Sequence, residues 1–191
     1  MVKYYFFISQ KDINAERFNA ALVSSYKNIF SITFFDGRSG YVLSDEHLYD
    51  YLESLIPVIM SDTDNSYQFL MSHDDSQVSR TAMKKMTKSR GVHLSTMADI
   101  LLNLALENDF ELISLAKRQY AAISRPLMVT AEMFISCGLN ASLAAKKLYV
   151  HRNTFAYRLN QFIEAINLDI RDFHNALFFN IFTKLISNSR I

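Results

Sequence analysis

Asn153, Tyr157 and Asn160 are spaced by four and three residues, so a helix through them carries all three on one strip. At about 100° per residue, with Phe155, Leu159 and Phe162 set near 0°, the three fall between roughly 140° and 200°. That strip lies opposite the apolar one. A carboxamide can pair with an adenine edge through two hydrogen bonds, and a tyrosine hydroxyl can reach a phosphate or a base edge. Around the strip stand Lys146, Lys147, Arg152 and Arg158, which can neutralise phosphates, and Thr154, whose hydroxyl can bond to one. Arg152 and Arg158 fall about 60° to either side of the apolar stripe, nearer the flanks of a groove than its floor. For Arg158 the alternative is an ion pair with Asp169 or Asp172.

The segment that carries these side chains reads as two short helices around a tight turn. Asn140 is placed to cap the first helix, and Ala145 is small enough for a second helix to cross closely. Leu148 and Val150 are spaced to bury on either side of the turn. His151 sits where the next helix starts, and Phe155, Leu159 and Phe162 follow at i, i+4 and i+7. This is a helix-turn-helix layout, with a recognition helix over about 152–164 suited to the major groove.

The run Ala145-x-x-Leu148-x-Val150-His151-Arg152-Asn153-Thr154-Phe155-x-Tyr157-Arg158-Leu159, with Leu168 to Asp172 downstream, resembles the C-terminal helix-turn-helix of PucR-type and sugar-diacid (CdaR-type) transcriptional regulators. The likeness covers about residues 125–186. It departs at Ala144, where the family often has Thr or Ser, and at Asn167, where it often has Gly. Asn tolerates the left-handed conformation of a helix C-cap, so the second change is mild. The N-terminal half resembles the degenerate cyclase-like (GGDEF-like) domain that precedes this module. The match is carried by Tyr67 to Ser76 and a following helix with Ala82, and the Gly-Gly-Asp/Glu-Glu-Phe signature is missing. The resemblance implies a bacterial DNA-binding regulator of metabolic genes, with its sensory part N-terminal. The chain is short for that family, as though an upstream sensory domain were missing.

Other residues compete for a chemical role and fall short. His73-Asp74-Asp75 has ligand types, yet His47, His93, His151 and His174 stand at no ligand spacing to it, so no metal is expected. Cys137 is the single cysteine, with apolar neighbours and no activating base. Four glycines and two prolines leave no glycine-rich phosphate loop. An enzyme is not expected, and no cofactor is implied.

The elements that must position the site divide the chain in three. Residues 3–9 and 29–36 are aromatic and β-branched, as strands are, with a helix from Ile13 to Tyr26 between them. Asp36 to Gly40 is a turn into a short strand at Tyr41-Val42-Leu43, making a hairpin. Ser44 or Asp45 is placed to cap a helix through Leu48, Leu52 and Leu55 that Pro57 ends or kinks. A strand at Tyr67–Met71 and a helix over Gln77–Lys88 complete a small α/β domain at 1–95. From Ser95 the pattern is wholly helical, giving connecting helices at 96–124. Ser124 and Pro126 then open the helix-turn-helix domain at 125–191. The fold class is α+β.

Nine acidic residues between Asp36 and Asp75 face Arg38 alone, whereas 76–98 and 133–163 carry bases and no acids. The first basic stretch, Lys84, Lys85, Lys88 and Arg90, reads as a solvated face, and the second coincides with the motif. No apolar run spans a bilayer and no signal peptide is visible, so a cytoplasmic protein without membrane contact is expected. The expected partners are double-stranded DNA, a second copy of the chain and a small-molecule effector. The closing helix, with Phe173, Leu177, Phe178, Phe179, Ile181, Phe182 and Leu185, is apolar over more than one side. It should bury against the helix-turn-helix and the helix at 127–137, or pair with a partner. The rival to a DNA-binding regulator is a ligand-sensing or interaction module whose helix-turn-helix mediates assembly.

Overall fold

The structure, a computed structural model, describes residues 2–86 and 93–188. The chain divides into two compact units, Met1–Ile100 and Leu101–Ile191, and has the α+β architecture expected.

In the first unit a five-stranded sheet runs in the order β2-β3-β1-β4-β5. Strand β1 (Val2–Ser9) is central, pairing antiparallel with β3 (Ser39–Asp45) and with β4 (Tyr67–Ser72). Its alternating side chains supply both faces. Tyr5 and Phe7 enter a core with Phe18 and Leu22 of α1 (Ala15–Ser25), and with Leu48, Leu52, Ile56 and Ile59 of α2 (Leu48–Thr63). Phe6 and Leu70 are buried on the other face, which α3 (Gln77–Met86) contacts through β1 and β4. Strand β2 (Ile29–Phe34) closes the expected hairpin with β3, bringing Phe34 opposite Gly40. A Cβ at Gly40 would lie 2.1 Å from the Thr33 carbonyl oxygen and 2.7 Å from the Phe7 ring, so the hairpin requires glycine there.

Three expectations in this unit are corrected. Leu94–Thr96 is not the start of helical chain but a strand, β5, parallel to β4 through Phe69 and Leu94. Ser44 and Asp45 do not cap α2. They end β3, where the buried Ser44 hydroxyl donates to the Asn28 carbonyl and the Asp45 carboxylate accepts from Tyr26 and Asn28. Pro57 does not end α2, which continues to Thr63. Pro57 faces solvent while Ile56 and Ile59 on either side are buried, so burial outweighs the one lost backbone bond. Of the helix read over Gln77–Lys88, residues 77–86 form α3; residues 87 and 88, like Arg90, lie outside the described residues.

Helix α4 (Met97–Leu106) begins in the first unit, where the Asp99 carboxylate accepts from the Thr96 N–H at 2.8 Å. The second unit continues with α5 (Glu111–Gln119), α6 (Arg125–Ser136), α7 (Ala141–Lys147), α8 (Arg152–Ile166) and α9 (Phe173–Asn188). Helices α6, α7 and α8 pack on one another. Helix α9 lies against α5 and α6, and its Phe179 meets Phe162 of α8 edge to face at 5.0 Å. Tyr120 adds edge-to-face contacts to Phe179 and Phe182. Phe178, Phe179 and Phe182 are therefore buried, while Phe173 at the head of the helix is 64% exposed. Among the described residues no helix is long and apolar enough to cross a membrane.

Candidate nucleic-acid interface

Both helices of the motif start on side-chain caps that the sequence specifies. The Asn140 carboxamide oxygen accepts from the Leu143 N–H at 3.0 Å, satisfying one of the open donors at the head of α7. His151 has extended backbone and its Nδ1 accepts from the Asn153 N–H at 3.2 Å, which requires Nδ1 to be unprotonated. Between them the chain turns on two backbone bonds, from the Tyr149 N–H to the Lys146 carbonyl and from the Val150 N–H to the Ala145 carbonyl. Ala144 and Ala145 are buried, and Leu148 and Val150 are half-buried. The small alanines let α7 approach α8 closely.

The inner face of α8 is the predicted stripe, extended by one turn. Phe155, Leu159, Phe162 and Ile166 are all buried, and Phe155 packs near Phe134 of α6 with ring centroids 6.0 Å apart. Asn167 ends the helix in the left-handed conformation at φ 51°, which Asn adopts more readily than most residues. With that face fixed, the opposite one is exposed at Asn153, Tyr157 and Asn160. Tyr157 is 63% exposed, and its hydroxyl oxygen accepts from the Gln161 amide at 2.7 Å, leaving its own O–H to donate. Lys146, Lys147, Arg152 and Thr154 are also exposed, and Arg158 is half-buried. The carboxylates weighed as partners for Arg158 both accept other donors. Asp169 is bonded by Arg171 at 2.7 and 2.5 Å, and Asp172 accepts from the Asn175 N–H at the head of α9.

This arrangement offers two amides and a phenol on the exposed side of a helix whose other side is buried, with cations on α7, at the head of α8 and on the flank of α8. Amides and phenols of this kind can hydrogen-bond to base edges, and cations can neutralise phosphates. Cys137 is a free, buried thiol. Among the described residues no group of three His, Cys, Asp or Glu side chains is placed to hold a metal. His73 lies beside Asp74, its Nε2 3.4 Å from the carboxylate. Burial would raise the Asp74 carboxyl, but His73, Ser79 and Ser76 outweigh it and hold the value down to about 2.

Residues 127–182 match the PucR C-terminal helix-turn-helix domain. The likeness to PucR-type regulators is thus confined to this segment, under a third of the chain. An uncharacterized protein of Bacillus subtilis (strain 168), YxkF, is 43% identical over 51 residues, which are 27% of this chain and 17% of that protein. The chain therefore matches well under two thirds of that relative's length. The crystal structure of a regulator of polyketide synthase expression from Bifidobacterium adolescentis aligns with a TM-score of 0.46 at 16% identity, over 99% of this chain and 82% of that one.

One exposed residue of the motif was missed by sequence reasoning. Tyr149, in the turn before α8, is 96% exposed and has φ 54°. Its place between two capped helices was the available signal.

Proposed function

We propose that the chain is a sequence-specific, DNA-binding transcriptional regulator that sets α8 into the major groove and acts as a homodimer in the cytoplasm. The observation that carries this reading is the exposure of Asn153, Tyr157 and Asn160 on the side of α8 opposite its buried stripe, within a PucR-type motif. Asn153, Tyr157 and Asn160 would read base edges. Lys146, Lys147, Arg152, Arg158 and Thr154 would hold phosphates on the flanks. A dimer would address two half-sites about one helical turn apart. In this reading residues 125–191 are the DNA-binding domain, 96–124 connecting helices and 1–95 an α/β domain through which a small-molecule effector would act.

The test is a binding series with duplex DNA at several salt concentrations. Each lost phosphate contact, as in Lys146→Ala or Lys147→Ala, should weaken binding to every sequence and reduce the salt slope by about 1. Absence of binding even at about 50 mM salt would contradict the reading. A second reading, an interaction module whose helix-turn-helix serves assembly, draws on an apolar cleft of about 270 Å³ lined by Ile135, Leu139, Phe173 and Leu177. It predicts the same absence of binding.

A further inference from the structure

We propose that Tyr149 is a phosphate-binding residue of the DNA interface, its hydroxyl donating to a backbone phosphate beside the N-terminus of α8. The proposal rests on the DNA-binding reading above and adds to it a residue outside both the base-reading strip and the basic set.

The argument starts from backbone conformation. Among the described residues, five other than glycine have positive φ: Asp64, Asn108, Leu139, Tyr149 and Asn167. Asp and Asn adopt this region at small cost because their short polar side chains bond locally. Leu139 follows Gly138 at the end of α6, and its half-buried side chain lines the apolar cleft, so burial offsets its strain. Tyr149 has neither compensation. It is bulky, its φ is 54°, and 96% of its surface faces solvent. Glycine would serve this turn better.

A strained residue whose side chain gains nothing inside the protein points to a role outside it. The surroundings specify which. Tyr149 sits two residues beyond Lys147 and three before Arg152, all exposed, and no carboxylate occurs between positions 133 and 163. The turn also leads directly into the head of α8, where the helix dipole favours an anion. A neutral phenol among these cations is a hydrogen-bond donor for a phosphate oxygen. Its contact would fix the depth at which α8 enters the groove without distinguishing one base from another.

The experiment uses the full chain with Tyr149→Phe and Tyr149→Gly, each titrated into a selected and a random duplex at several salt concentrations, with thermal unfolding alongside. Tyr149→Phe should weaken binding roughly ten- to 150-fold on both duplexes, as expected for one hydrogen bond to a charged group. The salt slope should stay unchanged because a phenol displaces no counterion. Tyr149→Gly should weaken binding at least as much while raising the melting midpoint by roughly 2–5 °C, since it relieves the left-handed strain. Affinity loss with rising stability is a combination that a structural role would not produce. Parental affinity in both variants overturns the proposal; if Asn153→Ala still loses sequence preference, the reading of α8 stands. Unchanged DNA binding with altered oligomeric state overturns it in favour of a protein contact. If the parent binds no duplex, this proposal and the DNA-binding reading fall together.

Discussion

Replacing Phe162 by alanine should unseat α8 and, with it, the exposed strip of Asn153, Tyr157 and Asn160. The ring is fully buried and meets Phe179 edge to face at 5.0 Å, making it the joint between α8 and α9. A phenylalanine buries at least about 150 Å², which at about 25 cal/mol per Å² amounts to roughly 4 kcal/mol. The lost ring pair adds about 0.5–1.5 kcal/mol, and substitutions of this type cost about 3–5 kcal/mol in well-packed cores. A domain of this size typically has about 5–15 kcal/mol in all. The melting midpoint of the C-terminal unit should therefore fall by roughly 15–30 °C. Far-UV circular dichroism follows the helices, and tyrosine signals report tertiary structure in a chain without tryptophan. Phe173→Ala is the control: the same residue type stands at the head of the same helix bundle but is 64% exposed, so its loss should cost under about 1 kcal/mol. Equal small effects from the two substitutions would refute the assignment of the α8–α9 joint.

Two predictions concern the N-terminal unit. Gly40→Ala should cost at least about 3 kcal/mol, because the new methyl would meet a backbone carbonyl at 2.1 Å; a near-parental urea midpoint would contradict the Phe34–Gly40 register. Asp74, held at about 2 against an ordinary 3.8, contributes stability that is complete above the unfolded value and is lost as pH falls through the folded one. The contribution is about 2 kcal/mol, so urea midpoints of the parent and Asp74→Asn should differ at pH 5 and converge near pH 2. Parallel curves would count against the His73–Asp74–Ser79 arrangement.

The helix-turn-helix was legible because its signals are local. Asn140 and His151 mark the helix starts by chemistry that acts within three residues, and the Phe155–Leu159–Phe162 spacing fixes which side of α8 faces inward. The exposed strip follows by geometry alone. Errors arose where distant partners decide the outcome. Leu94–Thr96 has no alternation of its own and becomes a strand only because β4 offers a parallel edge. Ser44 and Asp45 have capping chemistry, but pairing with β1 holds them in β3. Pro57 looks like a terminator until the burial of Ile56 and Ile59 is known. Tyr149 stands in the turn between two capped helices, a local signal, but nothing in a tyrosine announces its positive φ.

The central claim is that the outward face of α8 reads DNA sequence. Selection of bound duplexes from a random pool, run in parallel with the parent chain and Asn153→Ala, tests it most directly. The account predicts that the parent enriches a pair of half-sites about 10 base pairs apart, and that Asn153→Ala loses about 1–3 kcal/mol of preference at one position in each half-site. No enriched sequence with the parent, or an unaltered preference with Asn153→Ala, would contradict it.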